Sequence, residues 1–296
     1  MNVYGTEQIR NVVLLGHGGA GKTTVAEALA FITGVTKRMG KVPDGNTISD
    51  YDKEEIKRQF SISTTLIPLE YEGENGPVKI NLLDTPGFFD FVGEAEEAIS
   101  VADAAIIVVN CKAGIEPGTE RAWEMCEKYN LPRLIFVTNM DDDHASYREL
   151  VVKLEKKFGR KIAPFQLPIR ENEKFVGFVN VVKMAGRRFT TLSDYEECEI
   201  PDYVQKNLTI ARDALIEAVA ETSDEYMERY FLGEEFTQEE ISQALRTHVI
   251  EGDIVPVMMG SGINCQGFKV LLQAMDKYFP SPDHFECIGV DVSKSI

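Results

Sequence analysis

Apolar and polar positions fall along this chain in blocks that predict strands and helices in turn. Val12-Val13-Leu14-Leu15 is a continuous apolar run and reads as a buried strand, with a helix over residues 25–30 behind it. Residues 63–71 and 78–83 read as two strands joined as a hairpin across Glu72-Gly73-Glu74-Asn75-Gly76-Pro77. Residues 104–109, 134–137 and 255–259 read as further buried strands. Helices are expected over residues 92–102, 119–129 and 267–278, with Trp123 in the core. Strands that alternate with helices imply an α/β fold. Its sheet is mainly parallel and flanked by helices, and ligands bind outside the strand C-termini.

Two stretches break this rhythm. Residues 34–61 have weak periodicity, many charges and a turn at Asp44-Gly45-Asn46. They read either as a solvated surface loop, partly helical, or as a mobile segment that closes over a ligand. Residues 165–252 carry strand-like pieces at 177–183 and 186–191, then acidic helices at 201–222, 223–231 and 237–251. Thr237-Gln238-Glu239-Glu240 is a capping-box start for the last of them. The chain therefore divides into a main domain at 1–164 and 253–282, an inserted α+β subdomain at 165–252, and a truncated beginning of another domain at 283–296. The insertion shows no catalytic constellation and suits a partner surface.

Charge narrows the function. Lys and Arg number 31 against 48 Asp and Glu, a formal net charge of −17. Phosphate backbones are gripped by clustered cations, so no direct sequence-specific binding of nucleic acid by this chain is expected. Five cysteines at 111, 126, 198, 265 and 287 form no C-x-x-C pair and suit reduced thiols. Residues 1–10 carry no signal peptide, and the longest apolar run is far too short to span a bilayer. The expectation is a cytoplasmic, soluble monomer with no membrane contact.

The turn after the first strand carries chemistry. Gly16-His17-Gly18-Gly19-Ala20-Gly21-Lys22-Thr23, followed by Thr24, is G-x-x-x-x-G-K-[ST] between a strand and a helix. A loop with little side-chain bulk turns backbone N–H groups toward phosphate oxygens, and the helix N-terminus adds its own. Lys22 can bridge the outer phosphates, and the Thr23 hydroxyl can sit on Mg²⁺. The bland alternative is a glycine turn. Asp84-Thr85-Pro86-Gly87 leaves the second hairpin strand. There Asp84 can hold Mg²⁺ through water, and the Gly87 N–H can meet a γ-phosphate. Thr138-Asn139-Met140-Asp141-Asp142 follows the strand at 134–137. One carboxylate there accepts both donors of guanine, N1–H and N2–H₂, and repels adenine. An acidic helix N-cap is the plainer account of that Asp. Gly260-Ser261-Gly262 can offer an N–H to guanine O6, although the tripeptide alone is generic.

In this order and spacing, the motifs resemble the nucleotide-binding half of the elongation factor G-like translational GTPases, from Ile9 to about Pro282. Arg58-Gln59-Phe60-Ser61-Ile62 stands where that family has Arg-Gly-Ile-Thr-Ile. Asp84-Thr85-Pro86-Gly87-Phe88-Phe89-Asp90-Phe91 stands where it has Asp-Thr-Pro-Gly-His-Val-Asp-Phe. The sequence 138–141 replaces Asn-Lys-Met-Asp, and Gly260-Ser261-Gly262 replaces Gly-Ser-Ala. Asn139 to Asp142 also fits N-x-x-D, but the ungapped register selects Asp141. The resemblance implies a P-loop fold, GTP or GDP with Mg²⁺, and the ribosome as partner of the full-length protein. It implies Thr23, Ser61 and Asp84 at the metal, Asp141 and Ser261 at the base, and Lys22 and Gly87 at the reacting phosphate. The polar, turn-rich composition of residues 36–60 further predicts that they are poorly ordered without GTP and Mg²⁺.

The departures define a divergent branch. Phe88 replaces the histidine that orients the attacking water, so weak intrinsic hydrolysis is expected. Gly19 replaces an aspartate, which removes a support for any monovalent cation. Thr138-Asn139 loses the amide that braces the loop and the alkyl stem that packs on the base. The alternative to a ribosome-stimulated GTPase is a slow GTP/GDP switch. Ribosomal protection proteins are similar but keep the histidine and rank below both.

Overall fold

The protein is described here from a computed structural model, which covers residues 3–282 apart from 75, 145, 192 and 193. The expected beginning of a further domain at 283–296 lies outside the described residues. The first half of the chain runs β1 (Ile9–Leu15), α1 (Lys22–Ile32), α2 (Lys53–Arg58), β2 (Thr65–Gly73), β3 (Gly76–Asp84), α3 (Val92–Val101), β4 (Ala104–Asn110) and α4 (Pro117–Lys128). It continues through β5 (Arg133–Thr138), α5 (Tyr147–Phe158) and β6 (Ile162–Pro164). The inserted part is β7 (Gln166–Glu171), β8 (Lys174–Asn180), β9 (Ala185–Phe189), β10 (Tyr195–Cys198), α6 (Asp202–Ala220), α7 (Asp224–Phe231) and α8 (Gln238–Glu251). The chain then returns as β11 (Val255–Met259) and α9 (Phe268–Tyr278).

Seven strands form one sheet in the order β2-β3-β1-β4-β5-β11-β6. Only β2 runs antiparallel to its neighbour. Both faces of this sheet are covered, which is why its central strands are continuous apolar runs. Val12 and Leu14 of β1, with Ile106 and Val108 of β4, pack beneath α1 and α9. Val13, Leu15, Ile107 and Val109 pack with α3, α4 and α5 on the other face. Trp123 is buried as expected, stacked on Phe158 at 4.2 Å between ring centres, with Arg133 at 4.2 Å over its ring.

The insertion builds a separate antiparallel sheet, β10-β9-β8-β7, and none of its strands enters the main sheet. Its core continues into that of α1 and α9 through Phe165, Phe178, Val204 and Leu208. The two strands expected there begin and end earlier, because residues 181–184 turn and Met184 takes φ 51. β7 and β10 were not expected; Pro168 interrupts the first, and Tyr195-Glu196-Glu197-Cys198 has no apolar alternation. Helix α5 was also absent from the expectations, although Tyr147, Leu150, Val151 and Leu154 bury one helical face. The hairpin turn is tighter than expected, with Gly73 opposite Gly76. Among the described residues no helix is long and apolar enough to cross a membrane.

Residues 36–60 carry more structure than their composition suggested. Glu27 of α1 is 1% exposed, and its carboxylate accepts the Gly40 N–H at 2.6 Å and the Ile48 N–H. Glu55 of α2 is likewise buried and accepts from Ile62 at 2.8 Å and Ser63 at 3.1 Å. Two carboxylates therefore replace the ladder that this segment lacks. Glu27→Ala leaves the buried Gly40 and half-buried Ile48 amide donors unpaired and is expected to lower stability by about 2–4 kcal/mol. Urea unfolding checks the loss, and faster hydrogen exchange at Gly40 and Ile48 assigns it to this contact.

Candidate functional site

Parallel strands deliver their C-terminal loops to one edge, and four such loops meet here. Leu14 pairs with Asp84, Leu15 with Ile107, and Val137 with Met259. The loop after β1, the 84–88 turn, the 138–142 loop and the 260–262 turn therefore stand side by side.

Gly21 caps α1 in the left-handed conformation at φ 100, which a side chain would strain. Lys22 lies beneath the loop, its ammonium donating to the carbonyls of Gly16 at 3.1 Å and His17 at 3.0 Å. Burial pulls its pKa down to about 8 against the attraction of Asp84 and Asp50. Gly87 comes so close that a Cβ there would lie 2.7 Å from the Gly18 nitrogen and nearer still to the Lys22 ammonium. His17 turns away from this centre. Its Nδ1 accepts from the Gly118 N–H at 3.3 Å, and its Nε2 stands 3.6 Å from the Glu116 carboxylate.

Thr23 Oγ1 and Ser61 Oγ are 3.2 Å apart, and Ser61 Oγ donates to Asp50 Oδ1 at 2.7 Å. Asp84 is 1% exposed, and neither carboxylate oxygen has a well-formed hydrogen bond, although the Ser49 and Thr23 hydroxyls face it. Asp50 Oδ2 and Ser49 Oγ are likewise buried without a partner. Burial raises both acids, Asp84 to about 6. Oxygen atoms buried without donors, beside two hydroxyls, match the ligand set of a hard divalent cation. Asp50 was missed in the sequence, because Ser49-Asp50-Tyr51 reads as one acid among many in a polar stretch.

Thr138 corrects one expectation. The brace attributed to an asparagine amide is kept by a hydroxyl, since Thr138 Oγ1 donates to the Ala20 carbonyl at 2.7 Å. Asn139 is exposed and left-handed at φ 59, a conformation that asparagine tolerates. Asp141 Oδ1 accepts from Ser261 Oγ at 2.5 Å. Asp142 instead faces Lys112, 3.2 Å away, outside this cluster. Thr24 lies against Gly262, where a Cβ would collide with its methyl group. The sequence held no signal for Arg170, which reaches from β7 to donate to the Met140 carbonyl at 2.8 Å.

Phe88 is 42% exposed, and its ring lies over the first loop; a Cβ on Gly18 would meet it at 3.1 Å. It packs on Phe60 with ring centres 4.8 Å apart. The phenyl ring offers neither donor nor acceptor where the resemblance calls for a water-orienting histidine.

The sequence matches the elongation factor Tu GTP binding domain family over residues 7–281. It is 36% identical to elongation factor G of Thermotoga petrophila over 278 residues, 93% of this chain and 39% of that protein. Against elongation factor G of Neorickettsia sennetsu it is 37% identical over 289 residues, 96% of this chain and 41% of that one. A crystal structure of a protein from Thermus thermophilus superposes with a TM-score of 0.87 at 37% identity. That match covers 94% of this chain and 41% of the other. The chain thus spans about two fifths of the length of these relatives.

The Asp84 shift carries a prediction. A carboxyl whose folded pKa lies above its unfolded value favours folding while protonated and loses that advantage as pH rises through about 6. Without metal or nucleotide, Asp84→Asn is expected to be near-neutral at pH 4 and stabilising at pH 7.5. The gain is on the order of 1–3 kcal/mol, reduced by the lost attraction to Lys22. Denaturant unfolding across that range checks both sign and midpoint.

Proposed function

The chain belongs to the elongation factor Tu GTP-binding domain family, and we propose that it is the guanine-nucleotide module of a translation GTPase of the elongation factor G type. The observation that carries this reading is the Asp141–Ser261 pair, tied to the phosphate loop through the Thr138–Ala20 hydrogen bond. Under this reading a phosphate cradle and a carboxylate base reader share one edge of the sheet. In this proposal the N–H groups of residues 16–24 hold the phosphates. Lys22 neutralises the outer ones, and the Gly87 N–H meets the γ-phosphate. Thr23, Ser61, Asp84 and Asp50 would hold Mg²⁺, which supplies charge neutralisation at the β- and γ-phosphates. Asp141 accepts the two guanine donors, the Gly262 N–H serves O6, and Thr138 and Asn139 shape the base loop. Residues 1–164 with 253–282 form the GTP-binding unit, and 165–252 an inserted unit that meets a partner. The ribosome, a cytoplasmic setting and a monomeric state belong to the same proposal.

Guanine reading has a direct test. Asp141→Asn replaces an acceptor with a donor and is expected to turn preference from guanine to xanthine nucleotide. Competition binding of GDP against XDP measures it. The same switch from Asp142→Asn, but not from Asp141→Asn, would make Asp142 the base reader and overturn the assignment to Asp141.

A second reading, a slow GTP/GDP switch, draws on the aromatic pair. Phe88, with Phe60 packed on its ring, puts apolar surface over the phosphate loop, where hydrolysis needs a held water. Charge stabilisation by Lys22 and the metal ligands remains, while the water-orienting contribution has no source within the site. Phe88→His in the full-length protein is expected to raise GTP turnover by about a hundredfold, the low end for a positioned proton acceptor. Rates with and without ribosomes check it. Unchanged rates in both would show that the side chain at 88 does not limit hydrolysis.

A further inference from the structure

The end of α8 holds an arrangement that the nucleotide site does not use. His248 and Glu251 are three residues apart on α8 and share one helical face. Gly252 closes the helix at φ 81, and the turn brings the Asp253 and Ile254 N–H groups back to the His248 carbonyl at 2.9 and 3.1 Å. This sets the Asp253 carboxylate 3.6 Å from His248 Nδ1. Ligand atoms of His248, Glu251 and Asp253 all lie within 4.8 Å of one another.

The imidazole is the independent pointer. His248 is 9% exposed, and its Nε2 stands 2.9 Å from the Ala218 carbonyl. A carbonyl only accepts, so Nε2 carries the ring proton. Nδ1 is then a buried lone pair without a hydrogen-bond partner among the described residues. It stands 3.6 Å from the Asp253 carboxylate, with Glu251 in the same cluster, at the negative end of a helix. A lone pair, two acid groups and a helix C-terminus together concentrate negative potential that a cation would relieve.

We propose that His248, Glu251 and Asp253 bind a first-row divalent cation of the zinc type, with water completing the shell. The competing arrangement is a doubly protonated imidazole donating to Asp253. The 3.6 Å separation exceeds the ~2.7–3.2 Å of an N–H···O hydrogen bond. It lies near the roughly 3.3–3.5 Å edge of a tetrahedron built with zinc–nitrogen and zinc–oxygen bonds of about 2.0–2.2 Å. An imidazole ligand favours zinc over magnesium or calcium, which prefer all-oxygen shells. The ion would staple the last turn of α8 to α6, which carries Ala218, and to the start of β11 at Val255.

Both acids are exposed, so Glu251→Gln with Asp253→Asn removes ligands without disturbing the core. The test is equilibrium dialysis of Zn²⁺ against the whole chain and this double variant, both saturated with GDP and Mg²⁺. Any zinc held by cysteines or the nucleotide site cancels in the difference. The chain is expected to bind one more equivalent than the variant, and Zn²⁺ is expected to shift the His248 Nδ1 resonance in ¹⁵N NMR. Equal stoichiometry would overturn the proposal. So would a His248 ring protonated on both nitrogens at pH 7 in excess Zn²⁺.

Discussion

The parallel pairing of β1 between β3 and β4 is the constraint on which the rest depends. With Leu14 opposite Asp84 and Leu15 opposite Ile107, the phosphate loop, the acid and the α4 approach are bound to emerge at one edge. A one-residue slip would exchange the two faces of β1 and bury Val13 where Leu14 belongs. Two apolar layers resist that slip, because each strand is fitted on both sides. Precision at the site is thus inherited from packing far below it.

That precision is spent on holding charge away from water. Lys22 and Asp84 are both buried, and each is drawn toward its neutral form by desolvation despite the attraction between them. Thr23, Ser61 and Asp50 form a chain of hydroxyl and carboxylate contacts that is complete except for the oxygens facing inward. Partly satisfied buried polar groups are unfavourable in isolation. Under the proposed reading phosphates and a cation bind at these groups, and relief of their unfavourable burial would then contribute to the ligand's affinity.

The divergent positions make sense as a set. Phe88 can lie across the loop because residue 18 is glycine, and Phe60 supplies the ring that it rests on. Thr138 keeps the brace to Ala20 by a different functional group. At the base end, Arg170 ties the insertion to the 138–142 loop, so the inserted sheet contributes to the geometry of the site. Glu27, one turn beyond Thr23 on α1, ties the 36–60 segment to the same helix.

Local chemistry made much of this legible. Apolar runs mark buried parallel strands because both faces of the sheet are dry. The glycine-rich loop before Lys22 is legible because its spacing demands a tight turn between strand and helix, and Gly21 takes φ 100 there. Asp141 was identifiable as the member of 141–142 in register with the strand, and it is the one that meets Ser261. Other features were settled by packing alone. Asp50, Arg170 and Gln166, which holds the Met259 N–H at 3.0 Å, resemble surface residues until distant elements fold over them. β7 and β10 have no alternation of their own and exist because β8 and β9 offer hydrogen-bonding edges. The orientation of Phe88 depends on space that Gly18 leaves and Phe60 borders, a relation across 70 residues of chain that no local pattern encodes. Residue type and spacing determined which chemistry was available, and long-range contacts decided which residues are close enough to perform it.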